Sequence, residues 1–142
     1  MSIESWRQAA QELLPMFRDR VDDAESIGML WIELWDCEVA GVRDEPLTEE
    51  AISSLFRYAP WCLLSGDEEY QNAAIIDFYE QLPTNARIRN NLNSYLSVED
   101  FLGLKELFEY HLSKEEHVKF VEEFLRKATQ GKEVRVPIRG EA

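Results

Sequence analysis

The stretch Ser65–Pro83, SGDEEYQNAAIIDFYEQLP, constrains the chain most, because it marks both ends of a helix and gives that helix an apolar surface too wide for one neighbour. Asp67 reads as the N-cap, and Glu68 and Glu69 put negative charge on the first turn, where the helix dipole favours it. Pro83 forbids continuation much beyond Leu82. At about 100° per residue, Ala74, Ile75, Ile76, Phe78, Tyr79 and Leu82 cover an arc of roughly 200°, more than the stripe of a surface helix. Such a helix has to be packed on several sides, so the spacing predicts a helical core with this segment at its centre.

The rest of the chain supplies those neighbours. Trp6, Ala9, Ala10, Leu13, Leu14 and Phe17 repeat at helical spacing up to Arg20, with a break or kink at Pro15 and with Ser2 and Ser5 competing as cap. The run IGMLWIELWDCEVAGV, Ile27 to Val42, sets Trp31 and Trp35 on one face and leaves Glu33 and Asp36 on a polar strip. Glu38 breaks that pattern, because its angle falls inside the apolar arc; it is either at a frayed end or a partly buried carboxylate that needs a partner. Thr48 caps a third helix that carries Glu49 and Glu50 in its first turn, with Pro60 expected to kink or divide it. Beyond Pro83, Thr84 is the expected cap of a helix through Tyr95, and Ser97 with Asp100 opens a sixth. Ser113 with Glu116 forms a full capping box for a seventh, whose apolar side carries Val118, Phe120, Val121, Phe124, Leu125 and Ala128. Gly131 is the expected stop, and KEVRVPIRGEA then reads as an extended tail. The fold class is all-α: a single compact bundle or short helical array of six to seven helices over residues 1–131, with an extended or mobile tail over 132–142.

Charge narrows the partners. Fifteen Lys and Arg face 28 Asp and Glu, a net charge of -13, which repels nucleic acid and anionic lipid and either favours a basic protein partner or simply maintains solubility. MSIESWRQAAQELL lacks the basic and apolar regions of a secretion signal, and no window has the apolar length of a membrane span, so a cytoplasmic protein is expected. Cys37 and Cys62 fall on apolar sides of their helices and read as buried free thiols, with a disulfide between them as the alternative.

No sequence pattern names a reaction. The six glycines are scattered singly, so no phosphate-cradling loop exists, and there is no G-x-S-x-G. No cofactor is expected. Glu33 with Asp36, and Asp77 with Glu80, share helical faces, but in so acidic a chain such pairs arise by chance and are mostly solvated. Two candidate surfaces remain for a basic partner: Glu33 and Asp36 beside Trp31 and Trp35, and Asp44 and Glu45 before the third helix. Against the first stands the tendency of tryptophans at helical spacing to be core. His111 and His117 flank the turn before the seventh helix and are weak candidates for a metal; packed, hydrogen-bonded histidines are the favoured reading, since no third ligand is evident.

LSGDEEYQNAAIIDFYEQLP resembles the second helix of a HEAT-type repeat. From LWIELWDCEVAG through this stretch, over about residues 26–125, the chain also resembles an uncharacterised family of small, acidic, all-helical bacterial proteins. That resemblance implies a cytoplasmic helical protein of the immunity or accessory kind and carries over no catalytic residues. Two functions follow as expectations: a non-catalytic domain that binds a basic partner, or a metal-dependent protein using the His111 and His117 region. The sequence leaves the oligomeric state open.

Overall fold

The computed structural model describes residues 5–41 and 47–139, with side chains to residue 129. Eight α-helices are present and no strand among the described residues: α1 Ser5–Leu13, α2 Arg18–Asp23, α3 Ile27–Glu33, α4 Glu49–Leu64, α5 Glu68–Asp77, α6 Ala86–Asn90, α7 Val98–Phe108 and α8 Lys114–Arg139. The all-α class is as the periodicity predicts. Where the sequence predicts one domain over residues 1–131, the helices group into two compact units, Met1–Gln81 and Leu82–Ala142.

In the first unit, Pro15 breaks the opening segment as expected, and a 3-10 turn, Pro15–Phe17, separates α1 from α2. Arg7 reaches from α1 to the carbonyls at the end of α2, donating from Nη1 to Val21 (2.5 Å) and Asp22 (3.1 Å) and from Nη2 to Ala24 (2.8 Å). Those carbonyls have no partner within their own helix, so one guanidinium satisfies a helix end. Ser26 caps α3 by accepting from the Met29 amide at 3.1 Å. The helix then widens into a π turn over Leu34–Val39, where the Ala40 amide donates to Trp35 O at 2.8 Å. Each residue of a π turn advances less far round the axis than in an α-helix. This carries Cys37 out of the apolar arc, so that thiol is exposed rather than buried as predicted. The same widening moves Glu38 to the edge of the arc. Gly41 closes the segment, and a Cβ there would overlap the carbonyl oxygen of Cys37.

Thr48 caps α4 as predicted, accepting from the Ala51 amide at 3.1 Å. The helix runs unbroken through Pro60, which bends no boundary into existence because its neighbours Tyr58, Ala59 and Cys62 are buried and held by packing. Gly66, at φ 80°, makes the turn into α5. Asp67 caps α5 by accepting from the Tyr70 amide at 3.2 Å, as the opening stretch predicts. The helix ends at Asp77, however, short of Leu82: Phe78 leaves helical geometry at φ −129°, ψ −68°, and Tyr79–Thr84 continues as 3-10 helix. The ring of Pro83 would clash with the Tyr79 carbonyl in an α-helix. The break turns Phe78 inward, where it meets Trp31 (5.0 Å between centroids), Trp35 (6.1 Å) and Phe56 (4.9 Å). Trp31, Tyr58, Trp61 and Tyr70 stack in sequence at 5.5, 5.9 and 5.8 Å.

The second unit is simpler. Asn85, not Thr84, caps α6, accepting from the Ile88 amide at 3.1 Å; the Asn-rich stretch then gives only a 3-10 turn, Leu92–Ser94, as its weak helix propensity allows. Ser97 caps α7 by accepting from the Asp100 amide at 3.0 Å. The capping box of α8 is reciprocal: the Glu116 amide donates to Ser113 Oγ at 3.1 Å and the Ser113 amide to Glu116 Oε1 at 3.0 Å. Phe101, Phe108, Phe120 and Phe124 form the core, with Phe101 stacked on Phe124 at 3.8 Å. Val118, expected on the apolar side, is 53% exposed, while His117 and Phe120 on either side of it are buried. Arg89 bridges to Glu123 at 3.0 Å and Lys127 donates to Asn90 O at 2.9 Å, tying α6 to α8. The α8 backbone passes Gly131, the expected stop, and is helical rather than extended through Arg139. A lone glycine costs about 1 kcal/mol in a helix, which is no barrier to a long one.

Candidate functional site

The acidic and aromatic strip predicted on the second helix separates into an inside and an outside. Trp31 and Trp35 are buried, at 0% and 5% exposure, and serve the core around Phe78. The aromatic half of the expected binding patch is therefore structural. Glu33 is half-buried and Asp36 exposed, so the acids remain at the surface. Asp44 and Glu45 lie outside the described residues.

The fold adds acids that sequence pairing dismisses as solvated. Asp77 is half-buried and Glu80 is buried. The Asp77 carboxyl is pushed above the ordinary aspartate range, first by burial and then by the negative charges of Asp36 and Glu80. α3 packs most extensively against α5, which brings Asp36 and Asp77 within electrostatic reach. Three large apolar side chains are left in water on the same two helices: Met29 and Ile32 on α3 and Ile76 on α5, at 47%, 40% and 51% exposure. Met29 and Ile32, three residues apart, share one side of α3, and Asp36 follows in the π turn. Ile76, expected in the core by periodicity, is outside because α5 turns Ala73 and Ala74 inward instead.

Glu38 finds the partner its position requires. Its carboxylate pairs with the Arg20 guanidinium, with side-chain exposures of 12% and 34%, and the bond raises the already high Arg20 value. The pair stands in the wall of an open cleft of about 800 Å³ that includes Phe17, Arg18, Leu47 and Thr48. Three acids and two arginines line it, a nearly balanced set that selects neither anion nor cation. Cys62 is buried, as predicted, and burial pushes its thiol up to about 12, which keeps it protonated and unreactive. The indole N–H of Trp31 has no acceptor of good geometry; the thiol of Cys62 is the group on which it acts as a weak donor.

The two histidines differ. His117 is buried, with Nε2 3.1 Å from Lys105 O and Nδ1 3.5 Å from Glu109 Oε1, the packed and bonded arrangement favoured by the sequence. A carbonyl accepts only from a donor, so Nε2 carries the proton in the neutral ring. His111 is exposed and meets Tyr110 edge-on at 5.2 Å, against the expectation of a packed ring; it belongs to a 3-10 turn, Glu109–His111, outside the phase of α7. Among the described residues, no group of three His, Cys, Asp or Glu side chains is placed to hold a metal ion. No described helix is long and apolar enough to cross a membrane. Comparison of the chain with protein-family models, curated proteins and solved structures gave no match.

Proposed function

We propose that this chain is a non-catalytic binding protein for a basic protein partner, of the immunity or accessory kind and acting in a bacterial cytoplasm. The carrying observation is charge: the charged groups that act on half-buried Asp77 are both acidic, Asp36 and Glu80, and Met29, Ile32 and Ile76 are exposed on α3 and α5. A net charge of -13 steers a basic partner toward the chain. The thiol of Cys62 is held protonated and both nitrogens of His117 face partners, which leaves these groups to structure.

Affinity capture from a native bacterial extract tests the reading. One stoichiometric basic protein should be retained and then released by salt, because charge attraction between exposed groups is screened beyond about 10 Å at 0.1 M. Capture of nothing but a metal ion, with stoichiometric occupancy of the purified protein, sinks it in favour of the His111 and His117 region.

A further inference from the structure

We propose that the stacked rings Trp31, Tyr58, Trp61 and Tyr70 form a one-electron relay that carries an oxidising equivalent out of the core and leaves it on Tyr70. The relay is independent of the basic-partner reading. Its path is continuous: successive ring centroids are 5.5, 5.9 and 5.8 Å apart, with interplanar angles of 21°, 9° and 25°, so each π-system faces the next at the separation of offset-stacked rings. Every ring in the row is a tryptophan or a tyrosine, the two aromatic side chains that give up an electron most easily. The path also has a direction, set by where a proton can go. Removal of an electron makes an indole or a phenol strongly acidic, and the equivalent is trapped only where that proton leaves. Trp31 is fully buried and its indole N–H has no acceptor of good geometry. The buried Tyr58 hydroxyl donates to the Trp6 carbonyl at 2.9 Å, and a carbonyl accepts a hydrogen bond without taking the proton. At the other end Trp61 and Tyr70 are half-buried, and Tyr70 Oη lies 3.0 Å from Ser5 Oγ in an exposed bond. Of these two, an oxidised phenol gives up its proton more readily than an oxidised indole, so electron and proton both depart at Tyr70. A one-electron oxidant takes an electron from Trp31; Tyr58, Trp61 and Tyr70 each refill the ring before it; and the Tyr70 proton passes to water. Three intact rings and a neutral Tyr70 phenoxyl radical result. A diffusible thiol then returns one hydrogen atom to the phenoxyl oxygen, restoring Tyr70 and becoming a thiyl radical.

The test is flash photolysis of the full chain with light that tryptophan absorbs and tyrosine does not. Cobalt(III) hexammine in solution takes up the ejected electron and is reduced to cobalt(II). The absorption of the tryptophan radical should decay as that of a tyrosyl radical rises, and Tyr70→Phe should slow the decay by about tenfold or more and remove most of the tyrosyl signal. Trp61→Phe keeps a ring in the stack but interrupts the carriers, and should do the same. Tyr110→Phe, at an exposed tyrosine outside the row, should change neither signal. Thermal melts confirm that the variants fold, and Tyr70→Phe, which removes one hydroxyl at a half-buried position, decides the matter if Trp61→Phe does not. An undiminished tyrosyl signal in Tyr70→Phe overturns the relay, because the equivalent then rests on another tyrosine. Tryptophan radicals that decay without any tyrosyl signal overturn it as well. So does an equal loss of signal in Tyr110→Phe, which would place the transfer between molecules rather than along the row.

Discussion

The two units are held by different kinds of side chain. Met1–Gln81 packs Trp31, Tyr58 and Phe78 with Trp35 and Phe56, whereas Leu82–Ala142 packs four phenylalanines. Tryptophan and tyrosine bring polar atoms inside, and each buried donor has to be matched. Tyr58 Oη accordingly donates to Trp6 O at 2.9 Å, across 52 residues of chain. Arg7 and Arg20 likewise reach over 14 to 18 residues. The phenylalanine core makes no such demand. In the second unit the long-range polar bonds, Arg89 to Glu123 and Lys127 to Asn90 across 34 and 37 residues, lie at the part-buried or exposed margin of the apolar centre, whereas in the first the bond from Tyr58 is buried.

Truncating the central ring of each core has the largest effect. Phe78→Ala and Phe101→Ala each remove a fully buried ring and should cost about 3–5 kcal/mol. Urea unfolding followed by tryptophan fluorescence and by circular dichroism separates them, since all four tryptophans precede residue 82. Fluorescence should report the Phe78 loss first. A Phe101→Ala variant that shifts both signals equally would end the distinction between the two cores. Next comes Tyr58→Phe, which keeps the ring stack but removes the bond to the Trp6 carbonyl, for about 1 kcal/mol. No loss of stability would show that water replaces the hydroxyl and that the long-range bond specifies nothing. Ser113→Ala removes the α8 cap and should cost about 1 kcal/mol, read as faster amide exchange at Glu116 and its neighbours. An effect that spreads evenly over the first unit would contradict its local character.

What the sequence discloses is what lies close along the chain. Caps at Thr48, Asp67, Ser97 and Ser113 are legible because donor and acceptor lie three residues apart. Glu38 is legible as an anomaly, but its partner Arg20 lies 18 residues back, and no spacing rule connects them. The π turn is invisible to any fixed helical period, so Cys37 is misplaced by it. Of the candidate surface, Asp36 and Glu33 are legible as a polar strip. The exposure of Ile76 and the influence of Asp36 on Asp77 are not, because they depend on where α5 ends and how it turns.

The smallest effect gives the sharpest contrast, since one acid in each unit is perturbed in the opposite sense. Asp77 sits above its usual value of 3.8, chiefly through burial. Its proton is therefore bound more tightly in the folded than in the unfolded chain, so this group's contribution is most favourable below 3.8 and is lost as pH rises through the folded value. Glu116 lies below its usual value of 4.5, first through the hydrogen bond from the Ser113 amide. Its contribution is present above 4.5 and is lost as pH falls through the folded value. Asp77→Asn should thus stabilise the protein slightly at neutral pH, and the gain should fade on acidification. Glu116→Gln should destabilise at neutral pH, and its deficit should also shrink in acid as the native carboxylate takes up its proton. Carboxyl NMR titrations of the two residues read the directions without mutation. Displacement of both to the same side of their usual values would show that capping and like-charge crowding do not distinguish the units as described.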